Sequence, residues 1–245
     1  MHESQLHEEN QFITLTYDDE NIPWDGSLNK KHFQDFMKRY RKYLGDKRIS
    51  YFMCGEYGEQ LNRPHYHALI FGHEFSDREL WFSREGVNTY VSESLQKLWK
   101  FGFSTVGNLN WETAAYCARY ALKKRTGKEE RDHYWRPLAT DLEVELQPEY
   151  ANMSLKPAIG KRWFDKFRND CFPSDYITYN GRPMRVPEYY DELLKEEDPA
   201  LLAELKGKRI RQAWKHNADN TDARLKVKNK VLLAKLKRLT RPLEQ

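Results

Sequence analysis

The run RPHYHALIFG, residues 63–72, places His65 and His67 one residue apart at the start of an apolar stretch. In an extended strand alternate side chains share a face, so both imidazoles project together and Tyr66 points the other way. Neutral imidazoles ligate divalent metals well, yet two ligands seldom hold an ion, and a third donor has to come from a neighbouring element. Glu56, near the end of the preceding strand run, is the first choice for that donor, and Glu59, in the connection, is the reserve. A pair of hydrogen-bonded structural histidines would leave the same trace, so the motif needs a second signal.

That signal is AAYCARYALKK, residues 114–124. On a helix Tyr116 and Tyr120 are i and i+4 neighbours, and Lys123 and Lys124 extend their face by a turn. Ala114, Ala118, Ala121 and Leu122 form the opposite, apolar face, which predicts that the tyrosines stay off the packed side. Tyrosines on a helix commonly serve amphipathic packing. Beside a metal they acquire another use: a tyrosine hydroxyl can attack a phosphodiester to give a phosphotyrosine, while the metal polarises the phosphoryl oxygens and a lysine offsets developing charge.

Positioning these groups requires strands for the histidines and a helix for the tyrosines. The alternation in FITLTYDDE, residues 12–20, predicts a strand. Apolar spacing predicts a helix from Leu28 to Leu44 with Ser27 as N-cap and Gly45 as stop. Ile49–Cys54 and His65–Phe71 read as an antiparallel strand pair joined by GEYGEQLNRP. A short helix within Ser92–Gly102, a strand over Phe103–Asn108 and a helix from Trp111 to Lys124 capped by Asn110 follow. The aromatic- and proline-bearing segment 126–187 yields no assigned element. Asp198 as N-cap and Pro199 at the first helical position open a helical C-terminal part, where Leu225, Leu232, Leu236 and Leu239 make a stripe too short for a coiled coil.

Composition narrows the classes. With 39% hydrophobic and 14% aromatic residues in 245, a core is within reach, whereas a mean hydropathy of −0.92 and the lack of a long apolar run exclude a membrane-spanning helix. The N-terminus shows no secretion signal. Cys54, Cys117 and Cys171 are far apart with no CxxC pair, which argues against a disulfide framework and for a reducing cytoplasm. The net charge of +4 conceals an asymmetry: from Leu205 on there are 13 Lys+Arg against 3 Asp+Glu, leaving 28 against 34 before it. Such a tail suits phosphate contacts or simple solvation.

The strand FITLTY, then RPHYHALIFG, then YCARYALKK, in that order, resembles the three motifs of the HUH endonuclease superfamily, and in particular the replication initiators of small single-stranded DNA phages of the gokushovirus type. GEYGE before the histidines, MSLKPAIGKRWF at 153–164 and CFPSDYITYNGRPMRVPEYYD at 171–191 are similar too. Two features depart from the pattern: amphipathic Tyr66 fills the bulky position between the histidines, and the chain opens directly before the first motif, where relatives commonly carry a cysteine-rich segment.

The resemblance implies an α+β fold, a central antiparallel sheet flanked by helices, over residues 1–187, with a mainly helical, basic extension over 188–245. It implies Mg²⁺ or Mn²⁺ held by Glu56, His65 and His67, Tyr116 and Tyr120 as nucleophiles with Lys123 and Lys124 beside them, and Arg63, Arg119 and Arg125 on DNA. The implied activity is nicking and rejoining of single-stranded phage origin DNA in the cytoplasm of a bacterial host, with a host helicase and DNA polymerase as further partners. A non-catalytic single-strand-binding module and a small zinc hydrolase using the same Glu/His/His set are the competing readings.

Overall fold

In the computed structural model, residues 1–58, 61–84, 86–120, 134–137 and 143–237 are described. Alternation in NQFITLTY sets the frame: in strand β1 (Asn10–Tyr17), Ile13, Leu15 and Tyr17 are buried on one face while Phe12, Thr14 and Thr16 lie on the other. Around it, β2 (Ser50–Tyr57), β3 (Pro64–Phe71), β4 (Arg78–Arg84), β5 (Val87–Ser92), β6 (Gly102–Asn108) and β9 (Tyr150–Met153) complete a seven-stranded sheet in the order β4-β5-β6-β1-β3-β2-β9. Neighbouring strands run antiparallel throughout. β7 (Trp135–Pro137) and β8 (Glu143–Glu145) form a separate two-stranded ribbon.

Helices α1 (Lys30–Leu44) and α2 (Glu93–Leu98) contribute to the core on the Ile13–Leu15–Tyr17 side. There Phe36, Tyr40, Tyr66 and Trp99 are fully enclosed. α1 starts two residues later than the sequence predicts, and Asn29, not Ser27, caps it: Asn29 Oδ1 accepts from the backbone N–H of Lys31 and His32. Ser27 and Leu28 are held elsewhere. The Ser27 hydroxyl accepts from Gln147 N at 2.7 Å, and Leu28 N donates to the Tyr57 hydroxyl at 3.0 Å, so this stretch is fixed in extended form before the helix can begin. Gly45, at φ +60°, ends the helix as expected.

Helix α3 (Trp111–Tyr120) lies on the other face against β2 and β3. Asn110 caps it, its Oδ1 accepting from Thr113 N at 2.8 Å. Tyr116 and Cys117 are buried with Phe12, Cys54, Leu69 and Phe71, whereas Ala118 is exposed. The expected apolar face is therefore corrected: Tyr116 sits on the packed side. An aromatic ring removes far more surface from water than a methyl group, and it outweighs the alanine stripe in choosing the buried face.

The hairpin β4–β5 went unpredicted. Both its faces are partly exposed, so its residues do not alternate cleanly; Gly86, at φ +80°, allows the turn.

A second compact unit begins at Trp163, within α4 (Lys161–Phe167). The hairpin β10 (Tyr176–Tyr179) and β11 (Arg182–Arg185) turns on Asn180 and Gly181, both at positive φ, the geometry that favours Asn-Gly. Helices α5 (Glu188–Glu197), α6 (Pro199–Lys215) and α7 (Asp222–Lys237) follow. Asp198 caps α6 as read, accepting from Leu201 N. Arg209 bridges Asp175 and Asp191. Leu225, Val231 and Leu232 on α7 are exposed. Among the described residues no helix is long and apolar enough to cross a membrane.

Candidate metal and nucleophile site

Strand register brings the candidate ligands together. Glu56 on β2 pairs with His65 on β3, and His67 on β3 pairs with Thr14 on β1. Tyr66, between the histidines, points to the opposite face, where its hydroxyl bonds to Tyr17 Oη and accepts from Asn29 N. The ligand atoms of Glu56, His65 and His67 all lie within 4.8 Å of one another. Glu59, the reserve ligand, lies outside the described residues, as do Lys123, Lys124 and Arg125.

One carboxylate oxygen is the hub. Glu56 Oε1 is 2.9 Å from His65 Nε2, 2.8 Å from His67 Nε2 and 3.1 Å from the Tyr116 hydroxyl, which donates to it. Burial alone would raise the Glu56 carboxyl, but the hydrogen bonds and charge of the two histidines outweigh it and hold Glu56 below its ordinary value. Orientation of the rings comes from behind. His67 Nδ1 meets Thr14 Oγ1 at 2.9 Å, and Phe12 stacks on the His67 ring at 5.3 Å. His65 Nδ1 lies 3.0 Å from the Arg63 carbonyl oxygen, which only accepts, so that nitrogen carries a proton. In the neutral ring His65 Nε2 is then a lone pair facing a carboxylate oxygen, a contact that needs a proton or a cation between the two atoms.

The other oxygen, Glu56 Oε2, is buried without a hydrogen-bond partner. A desolvated anionic oxygen in that state is costly. Two imidazoles with fixed outer nitrogens, converging with an orphaned carboxylate oxygen, make a donor set that fits a divalent cation.

Tyr116 stands edge-on to the His67 ring at 4.9 Å, and the Arg119 guanidinium lies over the Tyr116 ring at 6.0 Å. Tyr120 is the last residue of α3, one turn on. Arg63 is engaged locally: it donates to the Tyr17 carbonyl at 2.9 Å and pairs with Asp19. Beneath the site, contact with Cys117 together with burial pushes the Cys54 thiol well above its usual value; all three cysteines are free. Sequence reasoning missed Thr14 and Phe12 as positioning residues. Their alternation was visible in FITLTY, but which histidine each would meet depends on register.

The family model for the replication-associated protein ORF2 matches residues 10–125, a span that includes Thr14, Glu56, both histidines and both tyrosines. The chain is 32% identical over 240 residues to replication-associated protein VP4 of Bdellovibrio phage phiMH2K, covering 94% of this chain and 67% of that protein. It is also 32% identical to replication-associated protein ORF2 of Spiroplasma virus 4, with 96% and 76% covered. Replication-associated protein ORF4 of Chlamydia phage 1 is 28% identical over 203 residues, or 79% of this chain and 48% of that one. No solved structure matches the chain.

Proposed function

The chain belongs to the family of phage replication-associated proteins, and from that membership we propose that it initiates rolling-circle replication by nicking single-stranded origin DNA through a tyrosine. Residues 1–187 act as the nicking domain and 188–245 as a basic extension. The observation that carries this reading is the Tyr116 hydroxyl meeting Glu56 and His67, at 3.1 and 3.4 Å, inside a group suited to a divalent metal.

Glu56, His65 and His67 would hold Mg²⁺ or Mn²⁺, which when bound polarises a phosphoryl oxygen and orients the scissile phosphate. Thr14 and the Arg63 carbonyl keep the imidazoles in the tautomers and orientations that ligation requires. Tyr116 or Tyr120 attacks phosphorus through its hydroxyl oxygen. The bond from phosphorus to the 3′-oxygen breaks, the hydroxyl proton is passed on to that oxygen, and the products are a 5′-phosphotyrosyl link and a free 3′-hydroxyl for a polymerase. The remaining tyrosine, one turn away, cleaves the regenerated origin a round later and lets the 3′-hydroxyl reseal a unit circle. Lys123 and Lys124 offset charge at the phosphate, and Arg63, Arg119 and Arg125 border the DNA path.

The test is a denaturing gel of protein incubated with labelled circular single-stranded phage DNA and Mn²⁺. Label is expected to migrate with the protein, to vanish with EDTA, and to vanish in the Tyr116→Phe/Tyr120→Phe double variant. An adduct that survives in the double variant overturns the reading.

A further inference from the structure

The face of the sheet that carries His65 and His67 does not end at the metal ligands. Register extends the row from Glu56 through His65 and Thr16 to Phe103 on β6. A parallel row runs from Leu69 through Phe12 and Gly107 to Thr89 on β5, with Phe82 on β4 opposite Thr89. Gly107 leaves a low point in this surface, since a Cβ there would meet the Phe12 ring at 3.3 Å. The result is a groove of about 310 Å³ lined by residues of β1, β4, β5 and β6 and the start of α3. That volume is at the small end of sites that enclose a compact organic group.

Its outer wall is aromatic and left open to solvent. Trp81 is 53% exposed and Phe103 43%; their rings meet at 4.8 Å, and Phe82 adds a third at 4.9 Å from Trp81. The pairing of β4 with β5 slips between Leu80 and Phe82, a bulge at Trp81 itself. Bulges beside active sites commonly re-aim a side chain. Threonine and asparagine side chains make up much of the remaining lining, Arg84 supplies a cation, and among the described residues no carboxylate faces the groove. An anionic ligand with a flat apolar ring fits that combination.

We propose that the groove is a nucleotide-binding subsite in which Trp81 and Phe103 stack a base of the single-stranded DNA next to the scissile phosphate, with Arg84 on its backbone. The inference rests on the proposed function for the identity of the strand. Two strand spacings, about 10 Å, separate the His65 and Phe103 positions, so a nucleotide adjoining a phosphate at the histidines reaches the platform. Stacking reads no particular edge of the base, so the subsite holds the strand in place with little sequence preference.

Binding of a fluorescein-labelled, mixed-sequence single-stranded oligodeoxynucleotide, followed by anisotropy in EDTA, tests this apart from nicking. Trp81→Ala is expected to weaken binding about 5- to 150-fold, the range for loss of one stacked base, and Trp81→Phe to restore most of it. Arg84→Ala should lower the slope of log Kd against log salt by about one, which Trp81→Ala leaves unchanged. Unaltered affinity in both Trp81→Ala and Phe103→Ala overturns the proposal, as does a wild-type protein with no affinity for the strand. So does a change in sedimentation without a change in DNA binding, which would give the groove to a second copy of the chain. If affinity falls as expected but the wild type forms no covalent adduct, the subsite stands and the nicking reading fails.

Discussion

The Tyr116 hydroxyl donates to Glu56 Oε1 at 3.1 Å, the same oxygen that both histidines approach. The candidate nucleophile is thus held by a candidate ligand, and Tyr116 is only 3% exposed. Tyr116→Phe removes one hydrogen bond to a charged acceptor while keeping the ring that packs on Phe12 and His67. The expected loss of stability is about 1.5 kcal/mol, read as a shift in a urea midpoint. If Tyr116 delivers the first cut, adduct formation falls by orders of magnitude in Tyr116→Phe and much less in Tyr120→Phe; the reverse ranking assigns the first cut to Tyr120.

Metal binding is checked without any DNA. Titration of Mn²⁺ by electron paramagnetic resonance should show one site in the wild type and none in Glu56→Gln or His67→Ala. Thr14→Val leaves all three ligands in place but removes the hydroxyl on His67 Nδ1. Loss of such an outer partner typically costs 10- to 100-fold in affinity, and wild-type affinity in Thr14→Val would show that Thr14 does not orient the ring.

Much of this site was legible because strand alternation is short-range: it put His65 and His67 on one face and Tyr66 on the other without knowledge of the partner strands. Glu56 was legible for a related reason, since antiparallel neighbours joined by a short connection bring the end of one strand beside the start of the next. Thr14 and Phe12 were not, because β1 reaches β3 across a long stretch of chain and its register is set by packing. The helix wheel misled at Tyr116, where a face of alanines was read as the buried one although Ala118 lies in solvent. The hairpin of Trp81 and Phe82 was missed because its two faces are similarly exposed and leave no period-2 signal.

Gly102 opens β6 at φ +141°, and a Cβ there would lie 2.2 Å from Asp18 N and 2.5 Å from the Thr16 carbonyl oxygen. Backbone atoms on both counts cannot swing aside as a side chain can. Gly102→Ala should therefore separate β6 from the end of β1 and cost at least about 2 kcal/mol, seen as a lower urea midpoint. Gly86→Ala, also at positive φ but in open space, should cost less, and equal losses would contradict the steric argument.

Glu3 supplies a pH dependence. Its side chain is buried, and its carboxylate accepts from Gly160 N at 2.8 Å and pairs with Arg162 at 2.6 Å, with His7 at 3.4 Å. Burial pushes the carboxyl up, but these partners together outweigh it and hold Glu3 below its reference value of 4.5. A carboxyl whose folded value is depressed stabilises the fold fully above its unfolded value, and that contribution drains away as pH falls through the folded one. Glu3→Gln removes the charge and is expected to cost about 1–3 kcal/mol at pH 7. Thermal melts of wild type and Glu3→Gln should thus be farthest apart at neutral pH and converge as pH falls below 4.5. A gap that stays constant or widens toward acid would mean that the Glu3 charge contributes nothing to holding residues 160–162 against the N-terminus.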